Sequence, residues 1–205
     1  MPPSNRMRSE NRMTTVKNRN LRCDVLVIGG GNAGLTAVLE ADHLQAKVVL
    51  MEKSSRACRG GNSRLSGGTF RIASEGTASF LPLLEGTALP GGELLIEPYP
   101  QEEFTNVLMA MSKDLADKRL IRTLVERSLD TVRWMKEQGV RWELWPVHMV
   151  KRGNSLLWPR GRMALVASNA GEGLVQSLYA AIEGRGVKVL YETAAVPGKP
   201  LLSNP

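Results

Sequence analysis

An α/β fold built on a parallel sheet is predicted by three observations near the start of the chain. Cys23-Asp24-Val25-Leu26-Val27-Ile28 is a short apolar, β-branched run, the pattern of a parallel strand buried on both faces. It ends in Gly29-Gly30-Gly31-Asn32-Ala33-Gly34, after which Leu35, Val38, Ala41 and Leu44 recur on one helical face. Lys47-Val48-Val49-Leu50-Met51-Glu52 is a second buried run. Residues 23–52 therefore read as a compact strand–helix–strand unit.

The remaining elements follow in order. A loop rich in Gly, Ser and Arg runs from residue 54 to about 76, and residues 77–100, with Pro82, Pro90, Pro98 and Pro100, read as irregular. Helices are predicted over residues 101–112 and 118–138. The second carries Leu120, Leu124, Leu129, Val132 and Met135 as its apolar positions, with Gly139 placed to terminate it. Residues 140–168 hold Trp142, Trp145 and Trp158 and read as a partly extended insert. A last helix over residues 173–183, with Leu174, Leu178, Ala181 and Ile182 apolar, is stopped by Gly184 and Gly186, and residues 187–191 read as a strand. Gln45 stands where a helix commonly ends in Gly, a costly substitution if the position is left-handed.

The strongest chemical signal is Gly29-x-Gly31-x-x-Gly34 between strand and helix, closed by Glu52 at the end of the second strand. The first glycine allows the tight turn, the second lets backbone approach a pyrophosphate, and the third lets helix and strand pack closely. The helix start offers unpaired N–H groups and a partial positive charge to phosphates. Glu52 is positioned to accept bonds from both hydroxyls of an adenosine ribose, which disfavours a 2′-phosphate and hence NADP. The second signal, Arg59-Gly60-Gly61-Asn62-Ser63-Arg64-Leu65-Ser66-Gly67-Gly68, returns toward the same site. Its glycines let amides crowd a ligand, and Asn62 and Ser63 add side-chain hydrogen bonds.

Composition excludes several classes. With 205 residues, 42% of them apolar, the chain has material for one packed domain or slightly more. No apolar run approaches the ~20 residues of a membrane span. Two cysteines, Cys23 and Cys58, make neither a disulfide framework nor a metal cluster. Arg6, Arg8, Arg12, Lys17, Arg19 and Arg22 against Glu10 give residues 1–22 a net +5, leaving +2 of the total +7 for the other 183 residues. Residues 1–21 are thus expected to be a basic, disordered leader. It lacks the apolar region of a secretory signal, so a cytoplasmic location is expected. With 5% aromatic residues and no basic face on the folded part, nucleic acid is not an expected partner.

These motifs resemble the FAD-binding flavoproteins of the fumarate reductase/succinate dehydrogenase superfamily. The likeness is carried by residues 29–34, Glu52-Lys53, Gly60-Gly61-Asn62-Ser63 and Gly67-Gly68. Arg59-Gly60-Gly61-Asn62-Ser63 and Phe70-Arg71-Ile72-Ala73 are most similar to its tricarballylate dehydrogenase-type branch. Thr131-Val132-Arg133-Trp134-Met135-Lys136-Glu137-Gln138-Gly139-Val140, Gly171-Glu172-Gly173-Leu174 and Val187-Lys188-Val189-Leu190-Tyr191-Glu192-Thr193-Ala194 fit the same pattern more weakly. The resemblance covers residues 22–195.

The resemblance implies a Rossmann-like, three-layer FAD-binding domain and these roles. Gly29, Gly31, Asn32, Ala33 and Gly34 form the turn whose backbone meets the FAD pyrophosphate. Glu52 binds the ribose, with Lys53 beside it. Gly61, Asn62, Ser63, Gly67 and Gly68 line the segment from pyrophosphate to flavin, and the backbone at Ala194 lies by the adenine. Where membrane-bound succinate dehydrogenases carry a flavin-linked histidine this sequence has Asn62, so non-covalent FAD is implied. Thr69 departs from a commonly found third glycine. The resemblance further implies that residues 22–205 are the N-terminal portion of the domain. The capping domain and the C-terminal return, which supply catalytic Arg and substrate-binding His residues, would then lie elsewhere, leaving an exposed sheet edge. No catalytic residue and no metal ligand is assigned.

Other candidates weigh less. His43 and His148 are distant from each other, Cys58 has no nearby second thiol, and Ser63 and Ser66 lack a nucleophile elbow. Arg160 and Arg162 suit an anionic substrate but read better as a solvated loop, and the tryptophans read as packing. The expected function is an FAD-dependent oxidoreductase moving a hydride at a C–C bond beside a carboxylate of a di- or tricarboxylate, with a second chain as one source of the catalytic half. The alternatives are a nucleotide-binding module or a non-catalytic remnant.

Overall fold

The apolar runs pair as parallel strands. In the computed structural model, which describes residues 21–84, 92–162 and 165–195, β1 (Val25–Ile28), β2 (Val48–Met51) and β9 (Lys188–Leu190) form one sheet in the order β1-β2-β9. The register sets Val25 opposite Val48 and Met51 opposite Leu190. Helix α1 (Asn32–His43) crosses from β1 to β2, and α6 (Ala170–Gly184) leads into β9 and packs against α1. Leu35, Val38 and Leu39 of α1 meet Leu174, Leu178 and Ile182 of α6 in the main core. β1 is an edge strand among the described residues, and Ile28 at its end is 56% exposed.

Helix ends obey local chemistry. Asp117 caps α5 (Lys118–Glu137) by accepting the Arg119 N–H at 2.7 Å. At its other end Gly139 has φ +94°, with the Gly139 and Val140 amides donating to the Lys136 and Met135 carbonyls. The apolar face of α5 is Ile121, Val125, Ser128, Val132 and Met135, whereas Leu120 and Leu124 are 70% and 52% exposed. The expectation for those two leucines is corrected: each sits one position before a residue of the true i, i+4, i+7 stripe. Helix α4 (Gln101–Met111) matches its prediction closely.

The largest departure lies in the middle of the chain. The segment expected to be irregular holds α3 (Thr77–Phe80) and β4 (Glu93–Ile96), and β4 pairs in parallel with β7 (Ser155–Trp158). β6 (Val150–Arg152) completes that sheet, and a further sheet orders β3 (Thr69–Phe70), β8 (Leu165–Ala167) and β5 (Trp142–Leu144). Trp142 and Trp158 belong to the main core, and their indole N–H groups donate to the Val132 and Trp145 carbonyls, both at 2.9 Å. Residues 1–20, with most of the basic leader, and the Pro-rich stretch after residue 195 lie outside the described residues. No described helix is long and apolar enough to cross a membrane.

Candidate cofactor site

The carboxyl ends of β1 and β2 and the start of α1 meet at one edge of the parallel sheet, where open α/β sheets place ligands. Gly29 turns the chain at φ +95°, and its N–H donates to the Met51 carbonyl at 2.8 Å. A Cβ on Gly34 would stand 1.9 Å from the Gly29 carbonyl oxygen, so α1 can approach β1 this closely only over glycine. A Cβ on Gly31 would press on Ser63 Oγ at 3.3 Å. Gly30, given no role by the spacing, is equally confined. Its Cβ would fall 1.8 Å from the Tyr179 hydroxyl and 2.9 Å from Glu52 Oε2. Ala33 is exposed one step into α1.

Glu52 is 4% exposed at the end of β2. Its Oε2 accepts the Gly30 N–H at 2.9 Å and its Oε1 accepts the Ser54 N–H at 2.8 Å. Two amide donors support the buried charge and leave each oxygen a further lone pair. The chain after β9 runs beside this segment. Thr193 N–H donates to the Glu52 carbonyl at 3.1 Å and Glu192 N–H to the Ser54 carbonyl at 3.2 Å. That pairing brings exposed Ala194 and exposed Lys53 to the same end of the sheet.

The second glycine segment is a structured turn rather than an open loop. It comprises a short 3-10 turn at Arg56–Cys58, left-handed Gly60 at φ +104°, and α2 (Gly61–Arg64). Ser63 Oγ accepts the Asn32 N–H at 3.0 Å and so caps α1 from across the site, where Gly31 offers no side chain. Asn32 Oδ1 is buried without a partner among the described residues. Asn32, Asn62, Ser63, Gly67 and Gly68 line a cavity of about 340 Å³ beside the α1 start. Helix α6 fixes this segment: the Gly171 N–H donates to the Ser66 carbonyl at 3.0 Å, and a Gly171 Cβ would stand 2.2 Å from the Ser63 carbonyl oxygen.

Arg59 ties the segment to α6 and β9. Its guanidinium lies 4.0 Å from the centre of the Tyr179 ring, donates to Glu183 Oε1, and donates to the Tyr191 hydroxyl at 2.5 Å. Arg56 adds a bond to Glu183 Oε2 at 3.0 Å. Burial alone would lift the Glu183 carboxyl, but Arg59 and then Arg56 hold it below the usual carboxylate value. Burial would lower the Arg59 pKa, yet its bonds to Glu183 and Tyr191 outweigh that and raise it. The spacing pattern contained no sign of this cluster, because Arg59, Tyr179, Glu183 and Tyr191 meet only through tertiary packing.

Other candidates fall away from the cavity. His43, His148, Cys58 and Arg162 are exposed, and Arg160 pairs with Glu103 at 3.6 Å. Among the described residues no group of three or more His, Cys, Asp or Glu can hold a metal.

Residues 24–197 match the family described as FAD binding domain. This chain belongs to that family. Among curated proteins it is 32% identical over 120 residues to the vinyl phenol reductase of Lactiplantibacillus plantarum, covering 58% of this chain and 21% of that protein. It is 33% identical over 120 residues to the digoxin reductase of Eggerthella lenta, covering 58% and 19%. The chain thus spans about a fifth of the length of these relatives. The open form of a flavocytochrome c3 fumarate reductase superposes with a TM-score of 0.56 at 24% identity, over 83% of this chain and 26% of that one. A 3-ketosteroid dehydrogenase from Rhodococcus jostii superposes with a TM-score of 0.59 at 22% identity, over 88% and 40%. The fold is the α/β FAD-binding fold of fumarate reductase-like flavoproteins. The glycine cradle, the buried Glu52 and the orphaned Asn32 oxygen fit FAD as the cofactor.

Proposed function

We propose that this FAD binding domain is the cofactor-holding, N-terminal portion (residues 22–205) of an FAD-dependent oxidoreductase that moves a hydride at a C–C bond beside a carboxylate. The observation that carries the reading is Glu52, buried at the β2 end with its carboxylate on the Gly30 amide inside the glycine turn. Bound FAD supplies the hydride chemistry. This chain's groups hold and orient it: amides of residues 29–34 with the α1 start take the pyrophosphate, and Glu52 takes the ribose diol. Asn62, Ser63, Gly67 and Gly68 line the way to the flavin, and the backbone at Ala194 lies along the adenine. Asn62 cannot form the flavin link a histidine makes, which supports non-covalent FAD.

Arg, His or carboxylate side chains that could grip a substrate do not converge on the cavity among the described residues. We therefore assign substrate binding and proton transfer to further chain or to a second chain. The di- or tricarboxylate class rests on the resemblance of residues 59–63 and 70–73 to the tricarballylate dehydrogenase-type branch. Two relatives are named vinyl phenol reductase and digoxin reductase, names that do not point to a di- or tricarboxylate. A cytoplasmic location goes with this reading.

The test is the visible spectrum of the purified chain after exhaustive desalting, with FAD added back where it is lost. A flavin band released as FAD on denaturation, and depleted in Glu52→Ala, is expected. A soluble, colourless protein that ignores added FAD overturns the reading.

A further inference from the structure

Tyr179 lies on α6 with its side chain fully buried, yet its hydroxyl has no hydrogen-bond partner among the described residues. Native proteins rarely leave such a group unpaired, and each instance calls for an explanation. The hydroxyl points at the glycine turn. It stands 1.8 Å from where a Gly30 Cβ would be, and Glu52 Oε2 stands 2.9 Å from the same point. Burial, and after it the Glu52 charge, pushes the phenol pKa upward, so it keeps its proton and remains a donor. The ring is not free to leave, because the Arg59 guanidinium covers its face at 4.0 Å and is itself bonded to Glu183 and Tyr191.

The Glu52 oxygens have one backbone donor each and lone pairs to spare. A ribose diol at that carboxylate brings two hydroxyls, each both donor and acceptor. We propose that Tyr179 is a further cofactor-site residue: its hydroxyl donates into the hydrogen-bond set joining Glu52 to the adenosine ribose of FAD, and Arg59 holds it in place. This rests on the reading that Glu52 takes the ribose. It extends the site to a helix that the glycine motifs do not include.

The test uses the full chain with Tyr179→Phe, which removes the hydroxyl and keeps the ring under Arg59. Without FAD, melting should be unchanged or slightly higher, because an unpartnered buried hydroxyl has been deleted. FAD affinity, read by flavin fluorescence, should fall about tenfold, the scale of one hydrogen bond within a charged set. An FAD analogue with a 2′-deoxyadenosine ribose should bind the wild type more weakly than FAD does, and that penalty should shrink in Tyr179→Phe. Glu52→Gln serves as the control for the underlying reading and should bind FAD weakly. If Tyr179→Phe binds FAD like the wild type while Glu52→Gln does not, the inference falls and the ribose reading survives. If Glu52→Gln also binds normally, both fall. A Tyr179→Phe chain that melts earlier or fails to fold without FAD marks a structural residue and overturns the inference, as does an undiminished 2′-deoxy penalty.

Discussion

Two glycine-rich segments meet at the cofactor site, and different physics shapes each. At Gly29 and Gly34 the first turn is confined within its own strand–helix–strand unit: Gly34 by the Gly29 carbonyl, Gly29 by its bond to Met51. The segment at residues 60–68 is confined by a helix far along the chain. A Cβ on Gly60 would stand 2.6 Å from Val175 Cγ1, and one on Gly68 would stand 2.5 Å from the Ala170 carbonyl carbon. A motif with local causes shows in its spacing, whereas a segment shaped by distant packing shows only as composition. Crowding each segment in turn separates the two cases. Gly34→Ala forces backbone apart and should cost about 3 kcal/mol of unfolding free energy in urea. Amide-exchange protection should then fall across β1, α1 and β2. Gly171→Ala meets the Ser63 carbonyl and should cost about 1–3 kcal/mol, with protection lost only in residues 60–68 and early α6. Indistinguishable exchange patterns would refute the distinction.

The same contrast explains what could be read from the sequence. The strand–helix–strand unit, its parallel pairing and helices α4 and α5 were legible, because hydrophobic period and helix punctuation are local signals. β4 was not, since Glu93–Ile96 is flanked by prolines and becomes a strand only when β7 pairs with it. The tryptophans read as packing are packing for Trp142 and Trp158. At the site, Glu52 and the glycines were visible as a pattern. Tyr179 was not, because a tyrosine on an apolar helical face carries no mark of an unpaired hydroxyl. Gly30 carries no mark in the spacing for a related reason: its need for glycine comes from Tyr179 and Glu52, not from the turn.

The Arg59–Glu183 clasp should distinguish the two segments more mildly, through pH. Arg59 and Arg56 hold the Glu183 carboxyl below its ordinary value of 4.5. A group depressed in the folded state stabilises fully above its unfolded pKa, and that contribution is lost as pH falls through the folded value. The stability gap between wild type and Glu183→Gln should therefore be constant near neutral pH. It should close below about pH 4.5. Because the clasp holds the second segment, exchange at residues 60–68 should follow the same acid profile, while β1 and β2 should not. A gap that stays constant down to pH 3 would show that the clasp adds no ionic stabilisation.

The smallest expected effect lies at the opposite end of the first unit from the site. Helices α1, α5 and α6 end in the same pair of backbone bonds: Gln45 to Asp42 with Ala46 to Ala41, Gly139 to Lys136 with Val140 to Met135, and Gly186 to Glu183 with Val187 to Ile182. The residue that turns left-handed is glycine in two of them, at φ +94° and +74°, but in α1 it is Gln45 at φ +63°. A side chain there crowds the following backbone, and glycine relieves that strain while giving back some freedom to the unfolded chain. Gln45→Gly should thus stabilise the protein by about 0.5 kcal/mol, read as a small rise in the urea midpoint at constant slope. FAD affinity should not change, because the cap is exposed and touches neither glycine segment. A shift in affinity would mean that strain at the foot of α1 reaches its cofactor-binding start. The first segment would then be less self-contained than its local contacts imply.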